Sequence, residues 1–194
     1  PFLHRFQHRR IPRIEPRDDT RGRQPGGIHP PVTPEADLGE IAETRIREGR
    51  EQRMPEIIAL CIKEAGKSVA ASVSEVREAV DFARYYAVQA RRHFGAPEAL
   101  PGPTGESNEL QLHGRGVFVC ISPWNFPLAI FLGQIAAALA AGNTVIAKPA
   151  EQTTLTAYLA VQILHDAGVP AEVLQFLPGD GATVGAALTR DPRV

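Results

Sequence analysis

Cysteine, methionine and tryptophan are scarce in this sequence. Its 194 residues hold two cysteines, one methionine and one tryptophan. Cys61 and Cys120 are too few for a multi-disulfide framework, and neither has a CxxC or His partner at metal-ligand spacing. Excess charge is missing too. Lys and Arg number 21 against 22 Asp and Glu, so the global balance does not point to nucleic acid or acidic lipid. Long apolar runs are absent as well. The richest stretch, 117–147, is broken by Pro123, Asn125, Pro127, Gln134 and Asn143, which leaves no window of about 18 apolar residues for an integral membrane segment. No apolar signal core opens the chain. With 43% hydrophobic residues, these absences predict an ordinary globular protein in a reducing, cytoplasmic setting. The chain opens on Pro1 and ends in "TRDPRV", which reads as a piece of something longer.

Residues 1–50 differ in composition from the rest. "PFLHRFQHRRIPRIEPRDDTRGRQPGGIHPPVTP" is rich in Arg and Pro and has no helix or strand period. Proline fixes φ and removes a backbone donor, so an irregular course is expected there. From about Asp37 the pattern turns helical. "RMPEIIALCIKEAGK" puts Ile57, Ile58, Cys61 and Ile62 on one stripe and stops at Gly66. A longer helix follows, with Val69, Val73, Val76, Val80, Ala83 and Ala87 at three- and four-residue steps, closed by Gly95. On that helix Glu75, Arg77 and Glu78 read as a solvated face. "APEALPGPTGESNELQLHG" is a connection with a short strand expected at Glu109–His113.

Beyond Gly114 the period changes. "GVFVCISP" predicts a strand buried on both faces. "PLAIFLGQIAAALAAGN" predicts a helix with Pro127 near its first turn and Gly142-Asn143 past its end. "TVIAKP" and "EVLQFLPG" predict two more strands, "TTLTAYLAVQILHDAG" a helix between them, and "GATVGAALTR" the opening of another. Val117, Val145 and Val173 recur every 28 residues, a spacing that suits consecutive βαβ units. The fold class is α/β, with amino-terminal helices followed by a Rossmann-like parallel sheet.

Ligands of such sheets bind at the carboxyl ends of the strands, where three polar motifs fall in turn. "SPWNFP" ends the first strand, "KPAEQT" the second and "PGDGATVG" the third. In the last, Gly179, Gly181 and Gly185 allow a tight turn and close backbone approach beside a helix start. It departs from GxGxxG by one residue, and no acidic residue follows about 20 positions on to hold a ribose. Lys148 and Glu151 are a substitute for it, able to hydrogen-bond two ribose hydroxyls; the bland alternative is a solvated charge pair.

In this order and spacing the motifs resemble the cofactor half of the NAD(P)-dependent aldehyde dehydrogenase superfamily. "LPGPTGESNEL", "GRGVFVCISPWNFPLAIFLGQIAAALAAGNTVIAKPAEQT" and "GVPAEVLQFLPGDGATVGAAL" resemble, more narrowly, the 1-pyrroline-5-carboxylate (glutamate-γ-semialdehyde) dehydrogenase module of bacterial proline utilization A. The likeness spans 51–194, the amino-terminal part of the NAD-binding domain. It implies that Asn125 donates its side-chain amide to the aldehyde oxygen as charge builds there, an effect on the order of 3 kcal/mol of barrier. It implies that Ile121, Ser122, Pro123 and Trp124 line the cofactor channel, that Lys148 and Glu151 bind the adenosine ribose, and that Gly181 and Gly185 lie under the adenine side. It also implies NAD as cofactor, a small-molecule aldehyde substrate, a homo-oligomeric parent and fusion to a FAD-dependent proline dehydrogenase domain. The family's cysteine nucleophile and general-base glutamate would lie past Val194. Cys120, inside an apolar strand, is not expected to replace that nucleophile, because burial raises a thiol pKa. Cys61 is expected in the core, and His93, His113 and His165 as isolated histidines. A non-catalytic dinucleotide-binding remnant and an aldehyde dehydrogenase of other specificity remain open alternatives.

Overall fold

The computed structural model describes residues 46–194, with side chains from residue 53 onward. The irregular course expected for residues 1–50 lies outside this range up to residue 45, and residues 46–50 correct it, since they are helical. Helix α1 spans Ile46–Ala65. It buries Ile57 and Cys61 and half-buries Ile58 and Ile62. Gly66, at φ 65°, donates its N–H to Ile62 O at 3.1 Å, a left-handed cap that glycine adopts without Cβ strain. Ser68 then starts α2, Val69–Phe94, by accepting the Ala71 N–H at 3.2 Å. The buried side of α2 is Ser72, Glu75, Val76, Ala79, Val80 and Ala87. Val69, expected on that stripe, is 64% exposed, because the packed part of the helix begins one turn later.

Between the helices and the main sheet lies a hairpin. β1, Glu98–Leu100, pairs antiparallel with β2, Asn108–Leu110, in the register Glu98↔Leu110 and Leu100↔Asn108. The strand expected at Glu109–His113 is thus displaced, and it has a partner that the sequence pattern does not announce. Continuing the register would set Gln111 and later residues against Pro97 and those before it, and Pro97 has no N–H to donate.

The second sheet carries three parallel strands in the order β3-β4-β5, namely Val117–Ile121, Thr144–Lys148 and Leu174–Phe176. Val117 lies opposite Thr144, and Ile121 opposite Lys148; Val145 lies opposite Leu174. Helix α3, Ala129–Ala140, joins β3 to β4, and α4, Thr154–Asp166, joins β4 to β5. A single π-helical turn, Gly181–Gly185, leads into the short α5, Ala186–Arg190. Phe131 and Ile135 of α3, Val145 and Ala147 of β4, Val161 of α4 and Leu174 are each at most 1% exposed. They form the core between helices and sheet. β3 is not buried on both faces as its unbroken apolar run predicted. Cys120 alone of its five residues is buried, while Val117, Phe118 and Ile121 are exposed. The strand order explains this: β3 is an edge strand, so one side of its ladder has no partner among the described residues.

α2 and α3 pack against each other where a Cβ on Gly133 would stand 3.0 Å from the Phe82 ring. At the far end of α3, buried Asn143 joins three backbone groups. Its Oδ1 accepts the N–H groups of Arg115 at 2.5 Å and Gly116 at 3.1 Å, and its Nδ2 donates to Ala138 O at 3.1 Å. Asn143→Ala would take the acceptor from the Arg115 and Gly116 N–H groups, while Ala138 O would keep the backbone N–H of residue 143 at 3.1 Å. We expect a loss of about 1–3 kcal/mol, read as a lower urea midpoint at unchanged m-value.

Candidate functional site

Because the strands run parallel, their carboxyl ends lie along one edge of the sheet, and the three motifs follow from there. The Ser122 N–H donates to Lys148 O at 3.2 Å, extending the β3–β4 ladder one residue past Ile121. Ser122 is buried, and then the chain turns outward. Pro123, Trp124, Asn125 and Phe126 are all exposed, Trp124 to 52%. The chain goes back in at Pro127 and Leu128, which are buried, and α3 begins. Asn125 therefore stands at the tip of a tight excursion between two buried anchors, with its side chain toward solvent.

Glu75 holds the second anchor. Its Oε1 accepts the N–H groups of Leu128 at 2.8 Å and Ala129 at 3.2 Å, which are otherwise unpaired donors at a helix start. A carboxylate is favoured there by the helix dipole. The sequence pattern puts Glu75 on a solvated face with Arg77 and Glu78, and the structure corrects this. Those two are exposed, but Glu75 is only 1% exposed. Its position carries a signal: it falls three residues after Ser72 and four before Ala79, on the buried stripe.

Lys148, Glu151, Gly181 and Gly185 come together beyond β4 and β5. Lys148 is 3% exposed and donates one hydrogen bond, to its neighbour's carbonyl, Pro149 O, at 3.1 Å. A Cβ on Gly185 would lie 3.6 Å from its Cε. Glu151 is exposed, and its Oε1 accepts the Gly181 N–H at 2.9 Å. The pair is therefore not the solvated ion pair of the bland alternative: Lys148 turns inward and Glu151 reaches across to the third loop. Asp180 fixes that loop by accepting the Thr183 N–H at 2.6 Å, and this hydrogen bonding holds its carboxyl below the usual range.

This cluster fits a dinucleotide. The Lys148 ammonium has donors left after its one bond. Glu151 Oε2 takes no hydrogen bond from a described residue. The backbone at Gly181 is exposed, with nothing nearer than the Glu151 carboxylate, 4.0 Å from where a Cβ would stand. A donor and an acceptor beside an open glycine backbone suit a sugar diol approached by a phosphate-bearing chain.

The cysteines belong to the interior. Burial pushes the Cys120 thiol up to about 11. Cys61 is pushed up to about 12, by burial first and the Glu75 carboxylate second. Neither is a thiolate near neutral pH. His93 and His113 are exposed, and His165 Nδ1 lies 2.9 Å from Val169 O.

The aldehyde dehydrogenase family profile matches residues 43–194. The chain belongs to the aldehyde dehydrogenase family. The bifunctional protein PutA of Klebsiella aerogenes is 56% identical over 144 residues, which cover 74% of this chain and 10% of that protein. A 1-pyrroline-5-carboxylate dehydrogenase of Anoxybacillus flavithermus is 46% identical over 144 residues, 73% of this chain and 27% of that enzyme. Among solved structures, bifunctional proline utilization A superposes with a TM-score of 0.77 at 54% identity, over 84% of this chain and 17% of that one. Thermus 1-pyrroline-5-carboxylate dehydrogenase with bound NAD gives 0.74 at 42%, over 82% and 31%. The chain thus spans about a tenth of the PutA relatives and about a quarter of the dehydrogenase relatives.

As a member of this family the chain carries its cysteines in unreactive positions. With pKa values of about 11 and 12, both thiols stay protonated until far above neutral pH. Native protein at pH 8 should react negligibly with Ellman's reagent, and denaturant should release both thiols. Fast labelling of Cys120 in the native state would contradict its burial.

Proposed function

We propose that this segment is the amino-terminal part of the NAD-binding domain of a dehydrogenase that oxidises glutamate-γ-semialdehyde to glutamate in proline catabolism. The observation that carries the reading is the meeting of Lys148, Glu151 and Gly181 at one strand-end edge, with the Asn125 excursion on the neighbouring strand. The names of the relatives, PutA and 1-pyrroline-5-carboxylate dehydrogenase, support the substrate. The NAD-bound Thermus relative supports the cofactor. When bound, NAD supplies the hydride acceptor.

The chain's own residues have separable tasks in this reading. Lys148 and Glu151 orient the adenosine ribose, Gly181 and Gly185 admit the adenine side, and Ile121 to Trp124 line the channel. Asn125 donates its amide to the substrate oxygen as negative charge develops on it. Only a donor already aimed gives its full effect, since it then needs no reorganisation during reaction. The thiolate nucleophile and the general base come from elsewhere in a longer enzyme, because Cys61 and Cys120 are both buried. The PutA relatives are named bifunctional, which supports a role beside a second catalytic module, a FAD-dependent proline dehydrogenase.

In a full-length enzyme carrying this segment, Asn125→Ala should lower kcat about a hundredfold or more and leave the KM for NAD nearly unchanged. Normal kcat with weaker NAD binding would place Asn125 in the cofactor site instead. The 194-residue chain alone should produce no NADH from glutamate-γ-semialdehyde. NADH production abolished by Cys120→Ser would make Cys120 the nucleophile.

A further inference from the structure

Lys67 sits in the short link between α1 and α2, far in sequence from the Asn125 excursion, yet its ammonium ends beneath it. Lys67 Nζ donates to the backbone carbonyl of Asn125 at 3.0 Å. It lies 2.7 Å from Glu75 Oε2 and 4.3 Å from the centre of the Phe126 ring. The Lys67 side chain is 12% exposed and that of Glu75 is 1% exposed. The link itself is held at both ends: the Lys67 N–H donates to Cys61 O at 3.4 Å, and the next residue, Ser68, caps α2.

These contacts form one chain of restraint. Glu75 fixes the start of α3 through Oε1 and fixes Lys67 through Oε2. Lys67 in turn fixes the peptide that follows Asn125 and supports the ring of Phe126. The excursion is otherwise exposed, so little packing holds it from the solvent side. A buried ion pair is a costly way to gain stability, since desolvation offsets most of the attraction. An ammonium that also donates to the carbonyl of the catalytic loop has a use beyond stability.

We propose that Lys67, held by Glu75, is a positioning residue that aims the Asn125 amide at the substrate oxygen. This rests on the reading of Asn125 as the oxyanion donor. Lys67 does not touch the reacting atoms; it acts by fixing the backbone from which the amide projects. Its removal should therefore cost turnover through Asn125 and through no other group.

Two measurements test this. Trp124 is the chain's single tryptophan and adjoins Asn125, so acrylamide quenching of its fluorescence reports the excursion directly. In the 194-residue chain, Lys67→Met should raise the quenching constant about twofold with an unchanged far-UV circular dichroism spectrum. In a full-length enzyme carrying the segment, Lys67→Met should lower kcat about tenfold and leave the KM for NAD alone. The same substitution made on Asn125→Ala should then lower kcat no further, because residues acting as a unit are not additive. Glu75→Gln, which keeps Oε1 as an acceptor for α3 but removes the charge facing Lys67, should repeat the pattern. Wild-type quenching and kcat in Lys67→Met would overturn the proposal, as would an undiminished loss on the Asn125→Ala background. An Asn125→Ala enzyme with normal kcat would overturn the oxyanion reading, and with it any role of Lys67 in catalysis; the quenching result would still report whether Lys67 clamps the loop.

Discussion

Unpaired N–H groups at the starts of elements are the constraint on which this structure depends. Each element that follows a strand end must have its first donors satisfied, and carboxylates from distant parts of the chain do this. Glu75 of α2 takes Leu128 and Ala129 at the start of α3. Glu64 of α1 takes Leu155 and Thr156 at the start of α4, at 2.9 and 2.7 Å, and the Thr156 hydroxyl as well. Glu151 takes Gly181 at the start of the last turn. The amino-terminal helices are therefore more than a lid on the core. Their acids register the crossover helices against the sheet, and with them the loops that carry the site.

That arrangement ties fold to chemistry. α3 cannot shift along its axis without breaking the Glu75 bonds, and the PWNFP excursion is anchored to its first turn. The glycine loop cannot leave the second strand end without losing Glu151. In the proposed reading, a site built from three separate loops would gain in this way a common rigid base, which electrostatic catalysis requires of its donors. Lys67 extends the same logic to the carbonyl of Asn125.

Much of this is legible in the sequence. The 28-residue recurrence of apolar starts marks the βαβ units, and the strands begin at or within one residue of Val117, Val145 and Val173. The three motifs sit at strand ends, where the alternation of strand and helix requires them. Family membership follows from motif order. Glu75 escapes such a reading because a helical carboxylate is ordinarily solvated and the N–H groups it accepts, from Leu128 and Ala129, lie more than 50 positions away; only its place on the Val76–Ala79 stripe points inward. The exposure of β3 is hidden for a related reason: composition reports that a strand is apolar, while edge or centre is decided by strand order. The hairpin strands, three residues each and largely exposed, have too little periodicity to show, and their register is limited by Pro97.

The central claim is that the three strand ends form one dinucleotide site with Asn125 at its reacting end. The most direct measurement is a crystal structure of a full-length enzyme carrying this segment, in complex with NAD. The account predicts the adenosine ribose hydroxyls within hydrogen-bond reach of Lys148 and Glu151, and the nicotinamide ring on the side of the sheet edge where Asn125 stands. NAD bound away from Lys148 and Glu151, or with its nicotinamide remote from Asn125, would contradict it.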